Sequence, residues 1–476
     1  MKKLYCYAIV MLLVITLTSL IITSCGSDSG SNGESTETTG DINTFIAKLE
    51  NDGFTVQEGE FSPVDAIQLC IDGIAVNCNG NNAGNPYFAY KLPEAPGQTM
   101  PNLIQDLAYP LRSDEALVFV GRTPPKMKYF SYRSFLLSRY DQETQEYKKI
   151  YASLGDCINL YNISTEGTPG GEDGDSFNQL AIIVTTADRG IDKRVRTAAK
   201  SAGYPDVIMN TDVIPSSLVN MGLEKGCDTF TFLGRTAMFL DEEACQAYID
   251  NPDVRVFRLT PNTQSQLDPF PTQELTPRGT GTNEMDLMPA VEELRTAILA
   301  KYSNYKATEL QTEIWLPEAY ESIQSGEDCL GESRDTSYLR TNVASQFKLS
   351  DNPDDFLVVY GVNHVQTGKC IYANFILYGA EYFNGVASID DSKYPGSAED
   401  YLPGHSQTQY LYAWKVARNA NGDLYCLEVP TGPSLYGIGL EDDAYVGFRS
   451  YIEKETEVGP AYNEIIYDRV IHFTSK

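Results

Sequence analysis

Apolar and polar positions recur with two different periods along the chain, which predicts both helices and strands. Residues 181–185 (AIIVT) are almost entirely apolar and predict a buried strand. Apolar residues then recur at i, i+4, i+7, i+8 and i+11 from Ile191, which predicts a helix with Asp188 as its cap and Gly203 at its end. Strand character resumes at residues 207–209.

Strand patterns dominate the C-terminal part of the chain. Residues 356–360 (FLVVY) predict a buried strand. Residues 409–418 and 424–429 flank Asn421-Gly422, a dipeptide typical of tight hairpin turns, so we expect an antiparallel hairpin there. The patterns together predict an α+β fold of mainly antiparallel sheets with peripheral helices.

The start of the chain has a different pattern. Two lysines precede a nearly uncharged apolar run that ends at residues 22–25, Ile-Thr-Ser-Cys. A basic start and an apolar run are typical of a secretory signal. The ending resembles the lipobox of bacterial lipoproteins, a branched apolar residue and two small residues before the cysteine that becomes acylated. The resemblance implies that residues 1–24 are a cleaved signal peptide and that Cys25 carries the lipid.

The segment that follows, residues 25–41, is expected to be the lipidated cysteine and a flexible tether. Its sequence after the cysteine, GSDSGSNGESTETTGD, offers no apolar side chain to a core. The alternative is an uncleaved signal anchor, since roughly 20 apolar residues can span a bilayer. Gly26 next to the cysteine implies, by the sorting habit of enteric lipoproteins, the outer membrane. We therefore expect an exported protein that is lipid-anchored to a bacterial membrane.

A stretch rich in Pro, Thr and Gly at residues 261–286 predicts a linker or long loop. It would separate an α+β domain at residues 42–260 from a β-rich α+β domain at residues 287–476. The pentapeptide FVGRT at residues 119–123 recurs as FLGRT at residues 232–236. A single pentapeptide is too short to establish a duplication.

The strong negative charge narrows the classes of partner. The formal net charge is −29, so nucleic acid is excluded as a favoured partner. Anionic lipid headgroups are disfavoured as well, and membrane attachment should depend on the acyl chains. The acidity suits solubility, divalent cations or a basic partner.

Cysteine usage suggests an oxidising compartment. Besides Cys25 and one cysteine in the apolar run, eight cysteines remain, an even number that predicts up to four disulfides in an exported chain. No C-x-x-C occurs, which argues against a redox motif or a zinc ribbon. The candidates for disulfide bonds are Cys70, Cys78, Cys157, Cys227, Cys245, Cys329, Cys370 and Cys426.

Strong catalytic motifs are missing from the sequence. It contains no G-x-S-x-G, H-E-x-x-H, phosphate loop or dinucleotide fingerprint, which argues against elbow-type lipases, zincins and nucleotide enzymes. His364 follows a predicted strand and is the first candidate for a catalytic base, and His405 is the second. If they converged with Asp390 or Asp391, they could bind a metal or share acid–base work.

No cofactor is predicted, and calcium is the metal that the acidic composition favours. Calcium prefers clustered oxygen ligands. The candidate ligands lie in two acidic loops, at Asp173 and Asp175 and at Asp354 and Asp355. None of these loops has a complete ligand spacing.

The leading hypothesis is a membrane-anchored lipoprotein of the bacterial envelope that acts as a binding or interaction module. The 31 tyrosines fit a protein, peptide or glycan ligand, because aromatic surfaces bind such molecules. One alternative is an exported hydrolase-like enzyme that uses His364. The other is a structural component of envelope assembly. A non-enzymatic role is favoured.

Overall fold

Strands are the main regular secondary structure in the computed structural model, which describes residues 40–168, 175–264, 266–432 and 434–476. Helices are few and short, and nearly all strand pairs are antiparallel. The predicted α+β class with mainly antiparallel sheets is confirmed. The predicted signal peptide, Cys25 and the tether up to residue 39 lie outside the described residues.

The elements follow one another in two series. The first series comprises α1 (Ile42–Asn51), β1 (Phe54–Val64), α2 (Ala66–Ile71), β2 (Tyr87–Lys91), β3 (Ala116–Arg122), β4 (Met127–Asp141), β5 (Glu146–Ser153), β6 (Ile158–Asn159), β7 (Leu180–Thr186), α3 (Arg189–Ser201), β8 (Met209–Val213), β9 (Thr229–Phe239), α4 (Glu242–Asp250) and β10 (Val254–Pro261). The second comprises α5 (Met288–Lys301), β11 (Lys306–Leu310), β12 (Thr312–Ile314), α6 (Ala319–Ser325), β13 (Thr336–Thr341), β14 (Phe356–Val362), β15 (Tyr372–Gly379), β16 (Asn384–Asp390), β17 (Leu411–Ala417), β18 (Cys426–Glu428), β19 (Ala444–Tyr451) and β20 (Arg469–Thr474).

The strands of the first series form one ten-stranded sheet that β1 divides into two layers. Residues 54–59 of β1 pair with β10 and begin an outer sheet, β1-β10-β3-β7-β8. Residues 60–64 pair with β2 and begin an inner sheet, β1-β2-β9-β4-β5. Aromatic side chains such as Phe61 and Phe119 fill the space between these layers. Helices α1 and α3 cover the other face of the outer sheet.

The second series repeats this arrangement. Its outer sheet is β11-β20-β14-β17-β18, and its inner sheet is β12-β13-β19-β15-β16. Apolar side chains that include Val359 and Phe448 pack between the two sheets. Helix α5 covers the other face of the outer sheet, as α1 and α3 do in the first series.

The fold is therefore an internal duplication, which we describe as a first copy (residues 42–261) and a second copy (residues 288–474). Strand by strand, the two outer sheets have the same order, and so do the two inner sheets. Even the parallel pair β7–β8 has its counterpart in the parallel pair β17–β18. The repeated pentapeptide is unrelated to this duplication, because it lies on β3 and β9, whose counterparts are β14 and β19.

The predicted hairpin at Asn421-Gly422 is wrong in its pairing. The chain does turn there, with φ of 51° at Asn421 and 89° at Gly422. After the turn the chain reverses its direction once more, so that β18 runs parallel to β17, with Lys415 opposite Cys426. The dipeptide specifies a turn, but the longer connection decides the direction of the next strand.

The structure does not support the predicted disulfides. All eight cysteines of the described residues are free thiols, and most are buried. Their contacts include oxygen atoms, such as Cys157 Sγ to Ser333 Oγ at 3.4 Å and Cys329 Sγ to the Pro317 carbonyl at 3.4 Å, and Cys70 and Cys78 pack together in one buried cluster. These side chains fill the core as small apolar residues. An even number of cysteines therefore did not indicate pairing.

The predicted helix after residue 188 is confirmed as α3. Asp188 caps it by accepting a hydrogen bond from the Ile191 amide. Residues 40–476 form one compact unit, and the division into two independent domains at residues 261–286 stays a prediction. No helix among the described residues has the length and apolar character needed to cross a membrane.

Candidate functional site between the two inner sheets

The inner sheets of the two copies face each other across a contact rich in tyrosine. Asn82 donates a hydrogen bond to the Tyr451 hydroxyl at 3.1 Å. The rings of Tyr129 and Tyr451 lie 4.7 Å apart. Helix α6 of the second copy contacts the first copy, since Arg139 donates to the carbonyl of Ile323 in α6 at 3.0 Å. Side chains of both copies therefore build the space between them.

Two arginines occupy equivalent positions in this contact. Arg235 lies on β9 opposite Tyr87 of β2, and Arg449 lies on β19 opposite Tyr338 of β13. Both point into the space between the inner sheets, because Arg235 Nη1 lies 3.4 Å from the Tyr338 hydroxyl and the Arg449 guanidinium lies 5.3 Å from the centre of the Tyr338 ring. Tyr338 therefore contacts both arginines.

The two arginines reach across to opposite copies. Arg235 Nη2 donates to the carbonyl of Gly331 in the second copy, and Arg449 Nη2 donates to the carbonyl of Gly80 in the first copy. Both glycines have left-handed backbones, with φ of 60° at Gly80 and 71° at Gly331. A Cβ at Gly80 would lie 2.8 Å from the Trp315 ring. Glycine is therefore required by both the backbone angle and the close approach.

The sequence contains a spaced motif at these two glycine loops, and none of the predictions above used it. Cys78, Gly80 and Tyr87 have the spacing C-x-G-x6-Y, and Cys329, Gly331 and Tyr338 repeat it. Only three of ten positions agree, so a search for contiguous repeats overlooks the pair. The signal available was the constant spacing, which places a glycine loop before the first strand of each inner sheet.

A cavity lies between the two glycine loops. The space open to the centres of water molecules inside it is about 100 Å³, enough for roughly three waters. Aliphatic side chains form much of its wall, among them Leu69, Leu233 and Leu316. Arg235 and Arg449 both line it. The cavity therefore combines apolar walls with two guanidinium groups.

The positive charge of these arginines is not neutralised by direct contact. Among the described residues neither forms an ion pair with a carboxylate, although they are only 6% and 4% exposed. Other buried arginines are paired, as Arg258 is with Glu115 at 3.0 Å and Arg133 with Asp212 at 2.8 Å. A buried cation without a counter-ion is costly. The Nε atoms of Arg235 and Arg449 also lack hydrogen-bond partners in the described chain.

The buried phenols around the arginines are neutral, and the described carboxylates next to this contact form no hydrogen bond to either arginine. Burial raises the pKa of Tyr338 and of Tyr378 above the usual phenol range, so both stay neutral. Burial also raises the pKa of Asp335 to about 6, against the lowering effect of its hydrogen bonds from Asn159 and Tyr129 and of the positive charge of Arg235, so Asp335 is mostly ionised at neutral pH without touching the guanidinium. Burial and the neighbouring Glu318 raise the pKa of Glu332, which follows Gly331, to about 7.

His364, the first catalytic candidate, lies in a separate buried cluster. Its Nδ1 lies 2.9 Å from Glu284 and its Nε2 lies 3.6 Å from Asp468. Burial alone would lower the pKa of His364, but Glu284 and Asp468 outweigh this effect and raise it to about 10. The side chain is 2% exposed. It is a charged core residue with little access to a substrate.

The other residues proposed to join His364 have different partners. His405 lies 3.4 Å from Glu293. Asp391 lies 3.5 Å from Lys128, and Asp390 caps the turn that begins at Asp391. His364 and His405 therefore do not share a carboxylate. Across the described part of the chain, no three His, Cys, Asp or Glu side chains are grouped to hold a metal ion.

The proposed calcium ligands are dispersed or already bonded. Asp355 lies 2.7 Å from His472, and the backbone N–H of Asp354 donates a hydrogen bond to Asn352 Oδ1 at 3.0 Å. Asp175 accepts a hydrogen bond from the Phe177 amide at 2.9 Å. Asp173 lies outside the described residues. The acidic loops that are described thus form local turns.

Comparisons with known proteins add no activity. No family model matches the chain, and no curated protein matches it. An uncharacterized protein from Burkholderia cenocepacia is similar in structure, with 12% identity and a TM-score of 0.35, over 90% of this chain and 87% of that one. The VPA0106 protein from Vibrio parahaemolyticus has the same identity and TM-score, over 91% of this chain and 98% of that one. At this TM-score the likeness carries no argument about function.

Proposed function

We propose that the protein binds a small organic anion in the cavity between its two copies, as a non-catalytic module of the bacterial envelope held to the membrane by a lipid on Cys25. One observation carries the binding function. Arg235 and Arg449 line an apolar cavity and have no carboxylate partner among the described residues. A bound anion would neutralise charge that the described protein leaves buried and unpaired.

The apolar walls of the cavity indicate the chemical nature of the uncharged part of the ligand. Leucine side chains around the cavity offer no hydrogen bonds, so the part of the ligand that contacts them is a short hydrocarbon chain or a single ring. The combination of apolar walls and a few convergent polar groups is typical of small-molecule sites. A hydrolase that uses His364 has weaker support, because that side chain is buried between two carboxylates.

Calorimetric titration of the full chain in detergent tests this function. The probes are benzoate and hexanoate, with benzyl alcohol and hexanol as neutral analogues of similar size. The anions should bind at least about tenfold more tightly, because charge-assisted hydrogen bonds contribute roughly 1.5–3 kcal/mol. Equal binding of acids and alcohols, or no binding of either acid, would overturn the proposal.

Substitution of the two arginines tests whether they cause the tighter binding of the acids. The double variant Arg235→Gln, Arg449→Gln should weaken binding of benzoate and hexanoate about tenfold or more, because a monoanion can use either arginine. Arg189→Gln serves as the matched control, since Arg189 pairs with Asp268 at the surface. Unchanged affinity in the double variant, with normal folding by circular dichroism, would also contradict the proposal.

A further inference from the structure

The N–H groups of the two arginines that have no partner in the described chain indicate how many negative charges the ligand carries. A guanidinium group has five N–H donors. Arg449 uses three of them, on the Gly80 carbonyl and on the hydroxyls of Tyr378 and Tyr451. Within the described residues, two donors of Arg449 thus remain without a partner, the Nε–H and one Nη1–H. They are not a parallel pair, so Arg449 can give a carboxylate oxygen one hydrogen bond from Nη1.

Arg235 retains even more donors. It bonds the Gly331 carbonyl and, at 3.4 Å, the Tyr338 hydroxyl. Three of its N–H groups have no partner in the described part of the chain. Each arginine is fixed by its own contacts, so neither depends on the other for its position. The site therefore contains two separate guanidinium groups that can each bind a negative charge.

The duplication explains why there are two such groups. Arg235 and Arg449 lie at equivalent positions of β9 and β19, and each is held by the glycine loop of the opposite copy. The surrounding tyrosines are neutral because burial raises the pKa of Tyr338 and Tyr378. A ligand with one negative charge would leave one of the two guanidinium groups without a counter-ion.

We infer, on the basis of the proposed function, that the ligand is a small dicarboxylate, one carboxylate for each arginine. Its hydrocarbon part lies against the aliphatic wall formed by residues such as Leu69, Leu233 and Leu316. The cavity volume of about 100 Å³ limits that part to a short chain or one ring. A carboxylate accepts charge-assisted hydrogen bonds from a guanidinium, here from the donors of Arg235 and Arg449 that have no partner among the described residues.

Titration of the full chain with matched acids tests this inference. Adipate is compared with its monomethyl ester and with hexanoate, which have similar length and one negative charge. Adipate should bind at least about tenfold more tightly than either. Phenyl phosphate, a dianion with both charges on one group, should bind more weakly than adipate.

Two variants should remove the preference for the second charge. Arg235→Gln and Arg449→Gln should each lower the affinity for adipate to that of the monoester, while Arg189→Gln leaves it unchanged. If hexanoate binds as tightly as adipate, the dicarboxylate inference fails and the anion-binding function stands. Tighter binding of phenyl phosphate than of adipate overturns the dicarboxylate class. If no acid binds to the wild-type chain, the proposed function itself fails.

Discussion

Arg235 of the first copy donates a hydrogen bond to the carbonyl of Gly331 in the second copy. The opposite bond, from Arg449 to Gly80, completes a reciprocal exchange between the copies. Each copy supplies one arginine and the loop that holds the other arginine. The cavity is therefore a product of the duplication, and neither copy alone contains it.

The first prediction concerns the glycine of the loop. Gly80→Ala should lower the free energy of unfolding by roughly 2–4 kcal/mol, because the residue has a positive φ and its new Cβ would meet the Trp315 ring at 2.8 Å. Gly73→Ala is the control, since Gly73 also has a positive φ but open space around it. Its cost should be about 1 kcal/mol. Equal urea midpoints for the two variants would show that the close approach to Trp315 does not matter.

A second prediction follows from the buried carboxyl of Glu332. Its pKa rises from 4.5 to about 7 on folding, so the folded chain holds the proton more tightly than the unfolded chain. The cost of this burial is absent below pH 4.5, grows between pH 4.5 and 7, and is complete above pH 7. Glu332→Gln should therefore stabilise the protein by about 1–3 kcal/mol at pH 8 and have little effect at pH 4.

The control for this prediction is Glu327→Gln, a change at a nearby exposed position. It should leave the urea midpoint unchanged at both pH values. A Glu332→Gln variant that is less stable than the wild type at pH 8 would mean that the carboxylate is a required counter-ion in the folded chain.

A third prediction concerns His364, whose pKa rises from 6.5 to about 10 on folding. Burial opposes this rise, while Glu284 and Asp468 cause it. The stabilising contribution is fully present below pH 6.5 and is lost as the pH increases through about 10. Unfolding free energies measured at pH 6.5 and 10 should differ by a few kcal/mol more in the wild type than in His364→Gln. The same pH dependence in both proteins would assign the effect to other groups.

A fourth prediction concerns the thiols and the lipid anchor. Alkylation of the unfolded, unreduced protein should modify all eight cysteines that are free in the structure. Eight cysteines that react only after reduction would mean that disulfides form in the native compartment.

Intact mass of the membrane-extracted protein should show a diacyl or triacyl group on Cys25 and loss of residues 1–24. An unmodified 476-residue mass would contradict export and lipidation.

Local elements could be predicted from the sequence, but the site could not. The run at residues 356–360 identified β14, and Asp188 identified the start of α3, because burial and capping depend on neighbouring residues. Asn421-Gly422 identified a turn and not the direction of β18, which depends on pairing with β17. The two arginines lie 214 positions apart, on strands whose equivalence appears only in the order of the sheets.

The candidate residues chosen for their chemistry had structural roles. Histidine is a rare residue type in this chain, and His364 follows a strand. Its side chain is nevertheless enclosed by Glu284 and Asp468. Arginine, in contrast, is common and gives no motif by itself. What distinguishes Arg235 and Arg449 is burial without a carboxylate, a property of the packed chain that no local pattern encodes.

The most direct test of the central claim is a crystal structure of the full chain with 4-bromobenzoate, using the anomalous signal of bromine to locate the ligand. We expect a bromine peak inside the cavity, near Leu69 and Leu233, with the carboxylate within hydrogen-bond distance of Arg235 or Arg449. A fully bound protein with the bromine outside this cavity, or with the carboxylate turned away from both arginines, would contradict the account.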